Sequence, residues 1–325
     1  MDWLLLLNAS LKPTLLHIPD GFLSTPVSLV GWLLAVVTIG YALRQTQDQL
    51  GERQVPVLGV MAAFIFAAQA VNFPVAGGTS GHLLGGALAA IVLGPWAAVL
   101  VMAAVIGLQA LLFQDGGLLV MGWNIMNMGV LTAFTGALVY RLVGRLIQGQ
   151  TGLMVAGAAG AWLSVEVGAV ATALQLAVSG TSPLAIALPA MAGIHALIGV
   201  GEALITVGAL LLIARTRPDL LAAGEAAPGA DTARWVAGGL LISLFVALLS
   251  WAASPAPDGL ERVAADQGFL ARAMDPLYRL LPDYTVPFIS HPALSGVVAV
   301  VLGTVLVFGL AYGVGRLVRR QRIAP

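Results

Sequence analysis

Apolar runs close to the twenty residues that about 30 Å of hydrocarbon requires recur nine times, at 27–43, 55–71, 83–93, 96–113, 119–140, 153–178, 187–214, 235–253 and 293–312. Inside a bilayer each backbone N–H and C=O must find its partner within the segment, so such runs fold as helices. The expected fold is an all-α integral membrane protein, a polytopic helical bundle of seven spans plus a C-terminal pair. Composition agrees: 59% of the residues are apolar and 9% charged, with a mean hydropathy of +0.95, whereas soluble domains carry about 25% charged residues. The 39 glycines suit helices that associate by close backbone approach.

The run at 83–93 is short, and Gly94-Pro95 after it is either a kink within one long helix or a turn between two. Charge separates these alternatives. With a turn, Arg44, Arg53, Arg141, Arg145, Arg215, Arg217, Arg234, Arg316, Arg319, Arg320 and Arg322 fall on one side of the membrane, and Lys12, Arg262, Arg272 and Arg279 on the other. Eleven against four is the cytoplasmic excess of the positive-inside rule. A kink scatters the arginines, so a turn is expected, with the N-terminus outside and the C-terminus cytoplasmic. The polar stretch 216–234 then reads as a cytoplasmic linker between seven spans and the last pair. Between those last two, 254–292 carries five acids, three arginines and six prolines, too polar to bury and too long for a simple turn, so it belongs outside. Residues 1–16 have an acid in place of a basic leader region and no small-residue cleavage site, which argues against a signal peptide.

Fifteen basic and fifteen acidic residues leave no basic surface for phosphates, which argues against a nucleic-acid partner. Without cysteine, any metal is held by nitrogen or oxygen. There is no G-x-x-x-x-G-K-[ST] loop for ATP hydrolysis and no H-E-x-x-H of a metalloprotease. The histidines are His17, His82, His195 and His291. On an apolar helix a histidine is by default a hydrogen-bonded packing residue. His17 and His82 differ, because both lie at outer ends of spans in polar, glycine- or proline-rich segments and can converge on one externally open pocket.

Leu16-His17-Ile18-Pro19-Asp20-Gly21-Phe22-Leu23-Ser24 resembles the amino-terminal signature of the CbiM/NikM family of cobalt and nickel uptake proteins. Asn72-Phe73-Pro74-Val75-Ala76-Gly77-Gly78-Thr79-Ser80-Gly81-His82-Leu83-Leu84-Gly85-Gly86 resembles the family's second signature. Gly94-Pro95-Trp96, Gln114-Asp115-Gly116-Gly117 and Asn124-Ile125-Met126-Asn127-Met128 follow in the family's order, so the resemblance spans 16–214. Pro257-Asp258-Gly259-Leu260-Glu261 resembles the PDGLE segment of the small NikN/CbiN-type partner, here fused in one chain. The resemblance implies an extension at 1–16, a seven-helix metal-capture domain at 17–215, the linker 216–234, and a PDGLE domain with two spans at 235–325. It also implies the substrate-capturing component of an energy-coupling-factor importer in the prokaryotic cytoplasmic membrane. Separate ATPase subunits would drive it through a membrane coupling protein, with Ni2+ or Co2+ as cargo, no organic cofactor and no soluble substrate-binding protein. Fusion to the small partner tilts the cargo towards nickel by family analogy.

As metal ligands the resemblance implies His17 and His82, with the free amine and first peptide nitrogen of the chain. An amine on Leu16, the amide of His17 and its Nδ1 close a five- and a six-membered ring around one metal, and His82 completes four nitrogens. Such a plane suits Ni(II) or Cu(II) better than Zn(II). In the family the histidine is the second residue, whereas here sixteen residues precede it, and an internal Leu16 has no amine. Three outcomes are open: translation starts at the position of Leu16, the extension is removed, or the intact chain uses two histidines completed by water or Asp20. The first is favoured, since it needs no protease. Asp20 is expected to cap its loop rather than ligate.

Asn72, Thr79, Ser80, Asn124 and Asn127 either orient the ligand-bearing loops or satisfy helix ends. Asp258 and Glu261 have the offset of a capping pair. Glu166 and Glu202 lie within spans, where a charge costs about 2.5–3.5 kcal/mol, so each needs a purpose or a partner. His195 and Glu202 are seven residues apart on one helix face. With Glu166 they define the rival reading, a stand-alone proton-coupled secondary transporter, although interhelical hydrogen bonding is the favoured use. Small-residue stripes at Gly59, Ala63, Ala67 and at Gly152, Ala156, Gly160, Ser164, Gly168, Thr172 allow close helix contact, either with a coupling partner or, for the longer one preferentially, within the chain.

Overall fold

The computed structural model describes residues 17–47, 51, 54–221 and 232–323, with side chains up to 319 in the last helix. Lys12, Leu16 and the rest of the extension, Arg53, most of the linker and the side chains of Arg320 and Arg322 lie outside the described residues. All nine apolar runs contain helix: α1 Thr25–Gln47, α2 Val55–Gln69, α3 Gly86–Leu93, α4 Pro95–Phe113, α5 Met121–Leu146, α6 Gly149–Val178, α7 Leu184–Thr216 and α8 Thr232–Ala252, then, beyond the short α9 Gly259–Asp266, α10 Pro292–Ile323. Seven of these, α1, α4 to α8 and α10, are long and apolar enough to cross a bilayer. Their outward faces, such as Leu29, Leu33, Val36 and Val37 on α1, are apolar because lipid is their solvent.

The run at 83–93 is helical only from Gly86 onward. Its helix has eight residues, about 12 Å of rise. Ahead of it, β1 (Phe73–Val75) and β2 (Thr79–Gly81) pair antiparallel, with Phe73 opposite Gly81. From His82 to Gly85 the chain is non-helical, and Glu202 of α7 accepts the N–H groups of Leu84 and Gly85 at 2.6 and 2.9 Å. A distant carboxylate thus does for these amides what a preceding helical turn would do.

Gly94-Pro95 is a turn. Gly94 has φ 84° and ψ 156°, which ends α3, and Pro95 opens α4 with its fixed φ where no N–H is needed. Trp96 beyond the turn lies edge-on to Tyr41 of α1 and Phe134 of α5, at 4.8 and 4.7 Å.

Both small-residue stripes are used within the chain. A Cβ at Gly59 would lie 3.0 Å from the Phe308 ring, so α10 covers that face of α2. One at Gly160 would lie 2.9 Å from the carbonyl of Gly136 on α5. The C-terminal helices therefore pack onto the first unit, and the segment between them folds over one end of the bundle. Ser254 N–H donates to Asn72 O, Ser80 N–H to Pro257 O and Met274 N–H to Asp20 O, each at 2.8 Å. Within that segment Asp258 caps α9, accepting the Glu261 N–H at 2.7 Å as its spacing suggested. At the opposite end Arg217 pairs with Asp219 and lies over the Trp235 ring, joining α7 to α8.

Candidate metal-binding site

His17 sits where two glycine-containing segments interlock. Ile18 donates its N–H to Asn124 Oδ1 at 3.1 Å and accepts from Asn124 Nδ2 at 3.0 Å, and Gly117 N–H donates to the same carbonyl at 3.0 Å. Gly116 has φ +88°, and a Cβ there would lie 2.9 Å from the Cβ of His17. At Gly117 a Cβ would overlap Asp20. Only glycine lets the two backbones meet this closely. Asp20 Oδ1 accepts the N–H groups of Leu119 and Val120 at 2.9 and 3.2 Å, so its carboxylate closes that turn. π-helical turns at Gln109–Phe113 and Ile125–Leu131 flank the interlock. The first ends on Gln114 with φ +55° and delivers Asp115, and the second carries Asn127.

His82 follows β2, with Nδ1 2.9 Å from Leu83 O. The rings of His17 and His82 are 5.8 Å apart between centroids and inclined at 82°, with only 2% and 6% of the residues exposed. They line a cavity of about 70 Å³ together with Asn124, Asn127, His195 and Asp258. Two imidazoles on one ion, each with a metal–nitrogen bond of about 2.0 Å, have centroids about 4.5 Å apart at a right angle and about 6.4 Å apart when opposite. The observed separation lies between these limits. His17 Nδ1 is 3.2 Å from Asp115 O and 3.3 Å from Asp115 Oδ1, while its Nε2 is buried without a partner among the described residues. Among those residues no group of three or more His, Asp or Glu side chains is placed to hold a metal ion.

The other sequence candidates separate into distinct roles. Ser80 bonds Pro257 O through its N–H and Ala256 O through Oγ, docking the segment 254–292, and Thr79 is buried beside it in β2. Asn72 gives its carbonyl to Ser254, and its buried Oδ1 has no partner among the described residues. Asn127 pairs reciprocally with Gln175 and also donates to Thr172. His195 Nδ1 is 2.7 Å from Met191 O one turn back, and Glu202 is committed to the Leu84 and Gly85 amides. Glu166, on α6, is not among the residues lining the cavity.

Three further residues, one lining the cavity and two behind His17, had no role at the site in the sequence reasoning. Asp115 and Asp258 stood inside motifs, and Tyr284 carried no signal. Burial lifts the Asp258 carboxyl to about 8, opposed in part by the Glu261 amide. Burial and the adjoining Asp115 carboxylate hold the Tyr284 hydroxyl well above its ordinary value.

A helical membrane bundle that closes one end over two buried imidazoles has the build of a metal-transport component. Residues 17–220 match the CbiM model, cobalt uptake substrate-specific transmembrane region, and 233–320 match the PDGLE domain; the chain belongs to the CbiM family. It is 31% identical to the fused nickel transport protein NikMN of Rhodobacter capsulatus, over 94% of this chain and 99% of that one. To the cobalt transport protein CbiM of Sorangium cellulosum it is 32% identical, over 63% and 94% of the two chains. A crystal structure of a truncated transition metal transporter superposes with a TM-score of 0.56 at 31% identity, covering 61% of this chain and 98% of that one.

Proposed function

We propose that this chain is the substrate-binding membrane component of an ATP-driven energy-coupling-factor importer for Ni2+ or Co2+, taking the ion at an external site in the N-terminal loop. One observation carries this: His17 and His82, 65 residues apart in sequence, meet with rings 5.8 Å apart in a small buried cavity. The nickel in the name of the full-length Rhodobacter capsulatus relative favours nickel as the cargo. The backbone amine of Leu16 and the His17 amide complete the donor set when the chain begins at residue 16. In that chelate His17 Nδ1 exchanges Asp115 for the metal.

The metal-capture domain is 17–215, the linker 216–234 is cytoplasmic, and 235–325 is the PDGLE domain with its external segment at 254–292. The N-terminus is outside and the C-terminus inside the cytoplasmic membrane. Energy comes from separate ATPase subunits through a membrane coupling protein, with neither a soluble binding protein nor an organic cofactor. The hydrogen bonds that occupy His195 and Glu202 support packing roles for both over a proton relay with Glu166.

His82→Ala tests the site. The variant still inserts and purifies, and in a Ni(II) titration its affinity falls more than about 100-fold, beyond the usual cost of losing a group that merely supports a ligand. His291→Ala binds like the parent. Equal affinity of the His82 variant and the parent would remove the assignment.

A further inference from the structure

We infer that Asp115 is the buried counter-charge of the metal site and that Tyr284, supplied by the C-terminal unit, holds it in place; this rests on His17 and His82 being the ligands. Asp115 is 5% exposed. Its Oδ1 lies 3.3 Å from His17 Nδ1 and has no hydrogen-bond partner among the described residues. Among those residues the His17 ring is its only ion-pair partner. A carboxylate buried without a cation is costly, and its unsatisfied oxygen faces the ring that would carry the metal. A divalent ion entering this cavity meets the converse problem, since neutral imidazoles bring no charge. One deprotonated amide and Asp115 together neutralise the two positive charges, so the empty carboxylate and the incoming ion resolve each other's cost.

The other oxygen is held from the fused unit. Tyr284 O–H donates to Asp115 Oδ2 at 2.6 Å and accepts from Gln109 Nε2 at 3.0 Å. Its ring stacks on Phe113 at 4.7 Å and 16°. Asp283 and Tyr284 have φ of 54° and 55°, a left-handed conformation that non-glycine residues adopt only when their surroundings impose it. The imposing contacts lie on the stretch that ends in Asp115. Tyr278 O–H donates to Leu111 O at 2.9 Å, Leu280 N–H to Gln114 Oε1 at 3.1 Å and Leu281 N–H to Leu112 O at 3.0 Å. Tyr284 is therefore a positioning residue that acts on His17 through Asp115.

The test is calorimetric titration of the detergent-purified full chain with Ni2+, and with Ag+ as a monovalent probe in nitrate buffer. Asp115→Asn keeps the shape and removes the charge. It should weaken Ni2+ binding about 10- to 100-fold and Ag+ binding by less than about threefold, because one positive charge needs half the compensation. Tyr284→Phe should weaken Ni2+ by up to about tenfold and add little on the Asp115→Asn background. Unchanged Ni2+ affinity in Asp115→Asn, or equal losses for Ni2+ and Ag+, overturns the inference. If that variant does not purify, the Ni2+ to Ag+ ratio of Tyr284→Phe decides in the same way. His82→Ala separates the two levels: if it binds like the parent, the ligand assignment fails, and if it loses binding while Asp115→Asn keeps it, only the counter-charge fails.

Discussion

Replacing Glu202 by alanine should cost the protein its metal before it costs the fold. The side chain is fully buried, and both oxygens are engaged, Oε2 by Leu84 N–H at 2.6 Å and Oε1 by Gly85 N–H at 2.9 Å. These amides lie two and three residues beyond His82. Each buried amide left without an acceptor costs about 1–3 kcal/mol, so the substitution puts about 2–6 kcal/mol on this short segment. Gln69 Nε2 also holds this segment, donating to Leu84 O at 2.8 Å. The strain is relieved when 82–85 leave their place, which takes His82 from the cavity. At about 1.4 kcal/mol per factor of ten, Ni2+ affinity falls by about 30-fold to about 20,000-fold. Glutamine keeps one acceptor oxygen but turns an NH2 group towards an amide N–H, so Glu202→Gln should fall between alanine and the parent. The assay is Ni2+ titration in detergent, with size-exclusion profiles showing that each variant remains folded. Parental affinity in Glu202→Ala together with lost transport would refute this reasoning and place Glu202 in translocation.

A chain expressed from residue 16, its first residue verified by mass spectrometry, should bind Ni2+ much more tightly than the chain starting at Met1, with affinity rising with pH as the His17 amide releases its proton; matching affinities would exclude the amine as a ligand. Asp258 titrates at about 8 when folded, against about 4 in an unfolded chain, so between these values the folded state alone retains the proton and metal-free stability falls as pH rises. Asp258→Asn keeps the cap and should flatten that dependence in melting experiments, whereas an unchanged slope would show that another group is responsible. A cysteine at Asp275 should react with an impermeant reagent in intact cells and one at Gln148 only after lysis; the reverse pattern would invert the proposed orientation.

The spans were legible because hydrocarbon acts on composition averaged over about twenty residues, and the turn at Gly94-Pro95 because a charge asymmetry summed along the whole chain depends on it. The hairpin and the late start of α3 were not. Strands of three residues leave no period to read, and the amides ahead of α3 are satisfied by Glu202, 117 residues away from Gly85. The π-helical turns at Gln109–Phe113 and Ile125–Leu131 likewise leave no local mark, since widening by one residue changes neither apolarity nor length enough to notice.

At the site the division has the same physical origin. The meeting of His17 with His82 follows from topology, which sets both at one end of the bundle, and Asp20 closes a turn as a short acidic side chain in such a loop does. Asp115 was visible only as a letter in a motif, because what distinguishes it is a hydroxyl from Tyr284, 169 residues further on. That bond also bears on why the PDGLE segment is joined to this bundle. The segment touches Asn72, Ser80, Asp20, Gln114 and Asp115, the residues that carry or adjoin both histidine loops. Each of these contacts gives a backbone or side-chain group on the loops at this end of the bundle a partner from segment 254–292. Loops held in this way would not have to be ordered by an ion taken at the proposed site, and the affinity otherwise spent on ordering would be retained.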